Sequence, residues 1–267
     1  MKTEAYLCKY NQAKQRYLQG DISITQVANL FHLDRGILAK NFKQDGIQVV
    51  NKQNLPQMNE NFFDQIDNEE KAYWLGFLYA DGAISSSRNG IELSLKSSDI
   101  NHLKKFSKSL EFHNKHIFQD DIRCRLNFNN KHMHESLIKL GCTPKKSLTL
   151  VFPTNEQVPP DLIHHFVRGY IDGDGSVMVG LNHRKERAVP RLSILGTESF
   201  LRDLIATMGW KQNQINHPSG AFQVEWGGKY VFRYLQDIYN DATIYLDRKY
   251  QRFLYLKNVF ADNKSQD

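Results

Sequence analysis

Two aspartates occupy matching places in two similar stretches of the sequence. WLGFLYADG (residues 74–82) and VRGYIDGDG (residues 167–175) both end in Asp-Gly, with Asp81 in the first and Asp174, 93 residues later, in the second. An aspartate at the C-terminal end of a helix is electrostatically unfavourable, because the helix dipole is negative there and a second carboxylate adds repulsion. A divalent cation reverses this balance. The pair therefore predicts a metal site, and its oxygen ligands suit Mg²⁺.

The helices that carry these aspartates are predicted to pack side by side. Gly76 and Ala80 are four residues apart in the first stretch, as are Gly169 and Gly173 in the second. Small residues at this spacing let two helix backbones approach closely. A helical glycine costs up to about 1 kcal/mol relative to alanine, so close packing has to offset that cost. A helix stop at Asp-Gly would explain one stretch by itself, but it explains the duplication poorly.

The segments after the two motifs follow the same order. Each copy reads as a helix, two strands, a helix, two strands and a helix, which is too long for a solenoid repeat. The sequence therefore predicts an α+β fold with two pseudo-symmetric αββαββα subdomains, expected at residues 56–155 and 156–267. The later segments of the first copy are residues 91–99, 101–110, 122–129 and 133–141, and those of the second are residues 191–199, 200–209, 220–228 and 229–239.

The paired motifs closely resemble those of the LAGLIDADG homing endonucleases, over about residues 62–258. The resemblance implies a site-specific endonuclease of double-stranded DNA, from an intron or phage mobile element, that uses Mg²⁺. It implies that Asp81 and Asp174 are catalytic, metal-binding carboxylates and that Ala80 and Gly173 contribute backbone carbonyls to the metal. Two motifs in one chain imply a monomer. A DNA-binding transcriptional regulator that does not cleave and an RNA-splicing maturase are the alternatives.

The resemblance also implies a basic residue near each scissile phosphate. Such a cation stabilises charge that develops on phosphorus or helps to deprotonate water. The segments TPKKSLTLVFP and YLDRKYQRF resemble those that carry it. They indicate Lys146 and Lys249 as catalytic residues, with Lys145 and Arg248 as the adjacent alternatives. The sixth motif position is Tyr79 in one copy and Asp172 in the other, a variation that we do not interpret as inactivation.

The strands are expected to form curved sheets whose concave faces lie in the major groove of DNA, which accommodates a two-stranded ribbon. Arg123 and Arg125 alternate with Cys124 and therefore project from the same face. Exposed charged residues are common, so an ordinary solvated surface is the alternative. The candidate DNA-contacting residues in these strands and their hairpins are Arg88, Lys96, Arg123, Arg125, Arg184, Arg187, Arg191 and Gln223.

The sequence of residues 1–55 predicts a separate all-α domain that contains a helix-turn-helix. Ser23 is expected to cap one helix and Asp34 the next, with the small residue Ala28 where the two cross. Ile37, Leu38 and Phe42 are expected to form the inner face of the second helix. The candidate DNA-contacting residues on its outer face are Arg35, Lys40, Asn41 and Lys43. A plain helical hairpin with a polar face is the alternative.

Composition excludes several classes of protein. Lys and Arg number 35 against 29 Asp and Glu, and the resulting net charge of +6 permits a polyanionic partner. Three widely spaced cysteines argue against a disulfide framework or a cysteine zinc site. The first twenty residues lack the apolar core of a signal peptide, and no apolar run reaches the length of a membrane helix. We therefore expect a cytoplasmic or organellar protein that is not secreted.

Overall fold

The structure is a computed structural model that describes residues 4–18, 23–49, 58–87, 89–112, 117–182, 187–217 and 221–262. The chain divides into two compact units, Met1–Met58 and Asn59–Asp267. Within the described part of the chain, no helix is both long and apolar enough to cross a membrane.

The described part of the first unit is helical. Its helices are α1 (Glu4–Leu18), α2 (Ile24–Leu30) and α3 (Arg35–Gln44). Ser23 begins α2 with a capping box, in which its hydroxyl accepts a bond from the Gln26 N–H and its own N–H donates to the Gln26 side chain. Asp34 begins α3 by accepting a 2.8 Å bond from the Ile37 N–H. Both caps are those that the sequence predicts, because each satisfies a free N–H of a first helical turn.

The faces of α3 differ from the prediction at two positions. Asn41, expected to contact DNA, is only 6% exposed, and its amide donates to the Tyr6 hydroxyl at 2.6 Å. Ile37, expected in the core, is 52% exposed. The buried residues Leu38, Asn41 and Phe42 follow the i, i+3, i+4 spacing of one helix face. Ile37 lies outside that face, so both assignments from the sequence are wrong.

The second unit contains the two predicted copies, each built around a four-stranded antiparallel sheet. The order of the strands in the sheets is β1-β2-β4-β3 in the first copy and β5-β6-β8-β7 in the second. The first copy comprises α4 (Glu69–Asp81), β1 (Gly82–Ile84), β2 (Gly90–Lys96), α5 (Ile100–Ser109), β3 (Phe118–Gln119), β4 (Arg123–Asn129) and α6 (Lys131–Lys139). The second comprises α7 (Ile163–Asp174), β5 (Gly175–Asn182), β6 (Arg187–Gly196), α8 (Glu198–Thr207), β7 (Ile215–Asn216), β8 (Phe222–Gly227) and α9 (Lys229–Tyr239), followed by α10 (Asp247–Asp262). The predicted α+β class and element order are confirmed.

Each sheet buries one face, because apolar residues alternate with polar ones along its strands. In β4, Cys124, Leu126 and Phe128 are buried, whereas Arg123 and Arg125 are exposed. The register of the two sheets is the same relative to the motif helices. The residues paired across each sheet at the start of its first strand are Gly82, Leu93 and Leu126 in the first copy and Gly175, Ile194 and Val224 in the second.

A buried ion pair joins the two copies at the start of α4. Arg168 of α7 is fully buried, and its Nη2 donates to Glu69 Oε1 at 2.6 Å. The remaining guanidinium nitrogens donate to the Ile244 carbonyl at 2.9 Å and the Ile238 carbonyl at 2.8 Å, with His165 Nδ1 at 2.8 Å from Nη1. Backbone carbonyls therefore accept part of the guanidinium's hydrogen bonds, and Glu69 is the carboxylate that pairs with its charge.

Replacing Glu69 with glutamine is expected to lower the free energy of unfolding by about 3 kcal/mol, because it leaves the charge of Arg168 uncompensated in the interior. Glu198→Gln is the matched control, since Glu198 accepts from Arg202 at the same 2.6 Å but both side chains are largely exposed. That exposed pair should contribute less than about 1 kcal/mol. Equilibrium unfolding in urea measures both changes, and equal losses would contradict the role given to the buried pair.

Candidate active site

The helices α4 and α7 cross with their backbones in direct contact. A methyl group placed on Gly76 would lie 2.0 Å from the Phe166 carbonyl oxygen, and one on Gly169 would lie 2.0 Å from that of Tyr73. One turn further on, a methyl on Gly173 would lie 2.3 Å from the Ala80 Cβ. The four small residues that the sequence marks therefore lie at the crossing, where any larger side chain would separate the helices.

This crossing brings the two motif aspartates to one place. A methyl on Gly173 would lie 3.3 Å from Asp81 Oδ2, so the end of α4 touches the end of α7. Burial, and then the charge of Asp174, raise the pKa of Asp81 to about 6. Burial also raises the pKa of Asp174, against the opposing charges of Lys146 and Lys249. Two partly buried carboxylates at two helix ends therefore form a site in which the ionised, negatively charged forms are destabilised.

The chemistry of this site fits a hard divalent cation. Carboxylate oxygens are ligands that Mg²⁺ prefers, and a cation would stabilise the ionised forms of two carboxylates whose burial raises their pKa values. The described residues contain no group of three or more His, Cys, Asp or Glu side chains that could hold a metal. An ion bound by Asp81 and Asp174 would therefore take its remaining ligands from carbonyls, water or a phosphate, as Mg²⁺ commonly does.

Lys249 caps the end of α7 instead of facing outwards. It is only 1% exposed. Its Nζ lies within hydrogen-bonding distance of the carbonyl oxygens of Ile171 (2.6 Å), Asp172 (2.7 Å), Gly173 (3.3 Å) and Gly175 (2.5 Å). These include last-turn carbonyls that the helix leaves without a partner. An ammonium has three N–H groups, so this cap already uses all the donors of Lys249.

Lys146 occupies the corresponding place in the first copy, but its ammonium group makes fewer hydrogen bonds than that of Lys249. Its Nζ donates to the carbonyl of Gly82, the residue that matches Gly175. Among the described residues, no second acceptor is bonded to it. The two lysines that the resemblance implies are thus both buried at the helix ends, but of the two only Lys146 has N–H groups that meet no acceptor among the described residues. Of the alternatives, Lys145 is exposed, and Arg248 Nε donates to Asp99 Oδ2 at 3.1 Å.

Lys249→Met is expected to lower the free energy of unfolding by about 2–3 kcal/mol, because several buried carbonyls lose their donor. Lys146→Met, the matched variant in the first copy, removes one such bond and should cost about 1 kcal/mol. Urea unfolding of both variants measures the difference. Similar losses from the two substitutions would mean that the lysines are equivalent.

Asp172 is an organising residue whose importance the sequence did not reveal. It is 1% exposed and accepts bonds from the hydroxyls of Tyr73 (2.8 Å) and Tyr239 (2.5 Å) and from the Leu246 N–H (2.8 Å). The matching residue, Tyr79, donates through its hydroxyl to the Leu140 carbonyl. An acidic residue at the motif position where the other copy has Tyr79 was the available signal, and its partners come from other elements.

The candidate DNA-contacting residues fall into three groups. Lys96, Arg123 and Arg125 are exposed on the outward face of the first sheet, and Arg191 is exposed on that of the second, where Gln223 is half-buried. In the first unit, Arg35, Lys40 and Lys43 are exposed on α3. Arg88 and Arg184 lie outside the described residues, as does the side chain of Arg187.

Comparison with known proteins gives a match in structure but not in sequence. No protein-family model and no curated protein matches the chain. Among solved structures, the I-LtrWI LAGLIDADG homing endonuclease bound to target DNA is 12% identical, with a TM-score of 0.50 over 76% of this chain and 92% of its own. LAGLIDADG homing endonuclease I-GzeII in complex with its DNA target is 11% identical, with a TM-score of 0.51 over 74% of this chain and 92% of its own. I-SmaMI bound to cleaved DNA is likewise 11% identical, with a TM-score of 0.51 over 75% and 92%. The chain has the fold of the LAGLIDADG homing endonucleases.

Proposed function

We propose that the protein is a site-specific endonuclease that hydrolyses phosphodiester bonds of double-stranded DNA with a divalent metal. The meeting of Asp81 and Asp174 at the crossing of α4 and α7 carries this proposal. It puts two carboxylates of raised pKa where two pseudo-symmetric halves join. The structures that share the fold are described as homing endonucleases bound to DNA, which supports the same substrate.

We assign different roles to the residues at the site. Asp81 and Asp174 would hold Mg²⁺, with the carbonyls of Ala80 and Gly173 as further candidate ligands. When bound, the ion supplies an activated water and stabilises charge on the reacting phosphate. Lys146 is the cation that we assign to the phosphate. We propose that Lys249 is a positioning residue, because its contacts with α7 occupy its donors.

One chain contains both halves of the site, so we propose that the protein acts as a monomer on an asymmetric target. The two sheets would follow the major groove over about two helical turns of DNA. We also propose that it works where cellular DNA is accessible to it, in the cytoplasm or in an organelle.

A binding selection followed by cleavage tests the proposed function. Random DNA duplexes are selected on the protein in Ca²⁺, which fills oxygen sites with looser geometry than Mg²⁺. The selected duplex is then incubated with Mg²⁺. We expect one asymmetric motif, a monomeric complex by light scattering, and a break within the motif. Binding without a break under any divalent metal would favour the regulator, and tighter binding of sequences from a parallel RNA selection would favour the maturase.

The first unit should extend the DNA footprint. Residues 1–58 carry eight Lys and Arg against four Asp and Glu, and thus most of the net charge of +6. We propose that α3 contacts the bases or the phosphates of DNA as the second helix of a helix-turn-helix, through Arg35, Lys40 and Lys43. The double variant Arg35→Ala/Lys40→Ala should shorten the nuclease footprint and weaken binding, yet still cut the selected duplex. Lys9→Ala, a change at an exposed position of α1, is the control, and identical footprints for all three proteins would exclude this role.

A further inference from the structure

The shared register of the two sheets allows their outward faces to be compared position by position. Because Gly82, Leu93 and Leu126 match Gly175, Ile194 and Val224, the neighbouring positions match as well. The resulting pairs of outward positions are Arg125 with Gln223, Ser94 with Leu195, Glu92 with Ser193, and Ser85 with Met178. The two faces share this register, but their side chains differ in chemistry.

The first face is polar and basic. Lys96, Arg123 and Arg125 are exposed along adjacent strands. The Arg125 guanidinium lies 5.4 Å from the centre of the Phe118 ring, which is itself 53% exposed. Cation–π contact with this ring and a 3.9 Å ion pair with Glu92 hold the guanidinium near the surface of the sheet. A planar fork in this position is suited to the two acceptors on the edge of guanine.

The second face carries two large apolar side chains and is nearly neutral in its described part. Met178 is 58% exposed and Leu195 is 39% exposed, although both stand on strands whose opposite face is well packed. Arg191, the cation among the described side chains of these strands, lies 3.8 Å from Glu225, so one cation faces one anion, whereas the strands of the first face carry three cations and only Glu92 as an anion. Gln223 stands where the first face has Arg125. Large apolar side chains on such a face favour contact with an apolar group of the partner.

We propose that the two halves of the target are read by different chemistry, with thymine methyl groups recognised by Met178 and Leu195 and guanine recognised by Arg125. The inference rests on the proposed function, because it takes the outward faces to lie in the major groove. The thymine methyl is the apolar group that the major groove presents, and aliphatic side chains contact it. The target should accordingly be thymine-containing where it meets the second sheet and guanine-containing where it meets the first.

Removing single methyl groups tests the first half of this inference. In the selected duplex, each thymine is replaced in turn by deoxyuridine, which lacks only the 5-methyl group. We expect about fourfold weaker binding for each methyl contacted, the change that corresponds to one buried carbon. Leu195→Ser and Met178→Ser, which install the residues of the matching first-copy positions, should each abolish the effect at one thymine. Ser94→Ala is the control, and it should leave every methyl effect unchanged.

An exchange of matched residues tests the second half. Arg125→Gln should lose on the order of tenfold in preference for guanine at one position. Gln223→Arg should gain a guanine preference in the opposite half. Gel shifts with a panel of single-base variants measure both preferences, and thermal melts confirm that each variant is folded.

The outcomes separate this inference from the proposed function. If the protein selects and cuts a motif, but deoxyuridine never weakens binding or weakens it equally in the serine variants, the inference is wrong and the nuclease proposal stands. If Arg125→Gln leaves all base preferences unchanged, the assignment of guanine to the first sheet is wrong. If no duplex is selected at all, the proposed function itself fails.

Discussion

Replacing either Asp81 or Asp174 with asparagine is expected to reduce DNA cleavage by at least about a hundredfold while DNA binding persists. The substitution keeps the shape of the side chain but removes the charge that would hold Mg²⁺, and with it the activated water and the charge stabilisation. Binding should persist because the contacts that we propose with phosphates and bases lie on the sheets and α3. Plasmid cutting in Mg²⁺ and gel shifts in Ca²⁺ measure the two properties separately.

The same variants should be at least as stable as the parent without metal, and the difference should depend on pH. The folded-state pKa of Asp81 is raised to about 6, above the usual value of 3.8, so the folded protein holds this proton more tightly than the unfolded chain. The stability due to that proton is present below pH 4 and is lost as the pH rises through 6. Asp81→Asn should therefore show its largest relative gain in melting temperature above pH 6. A variant that cuts at nearly the parental rate would show that the proposed site is wrong.

Replacing Gly169 with alanine is expected to lower the free energy of unfolding by about 3 kcal/mol, as severe overpacking does. The new methyl would lie 2.0 Å from the Tyr73 carbonyl oxygen and 2.9 Å from the Phe77 nitrogen, both backbone atoms that cannot turn aside. Gly76→Ala should behave in the same way, because its methyl would meet the Phe166 carbonyl oxygen at 2.0 Å. Urea unfolding measures each loss.

Gly180→Ala provides the control for these variants. Gly180 lies in β5, and among the described residues a methyl there would meet only the Val189 carbonyl, at an ordinary 3.8 Å. It should be neutral or slightly stabilising. Because separating α4 from α7 also separates Asp81 from Asp174, residual folded Gly169→Ala protein should bind DNA better than it cuts it. Parental stability in Gly76→Ala and Gly169→Ala would mean that the helices can pack differently.

Features that depend on neighbouring residues were predictable from the sequence. The order of helices and strands follows from alternating and helical apolar spacing, and the caps at Ser23 and Asp34 follow from side chains that reach a backbone N–H three residues away. The crossing of α4 and α7 was also predictable, because small residues recur at the same helical spacing in both motifs. The metal, the target and the role of the first unit remain predictions.

Other features required the tertiary structure. A sequence gives the spacing of a helical face, but its exact direction depends on the neighbouring helices, so Ile37 and Asn41 were assigned to the wrong faces. The sequence placed Lys146 and Lys249 in similar segments, yet only the fold decides how many carbonyl oxygens surround each ammonium group. Asp172 likewise depends on Tyr73, Tyr239 and Leu246, which lie 99, 67 and 74 residues away along the chain. Local patterns determine which elements form. Contacts between residues distant in sequence determine which side chains remain available for binding or catalysis, because burial and hydrogen bonding depend on every element that packs around a group.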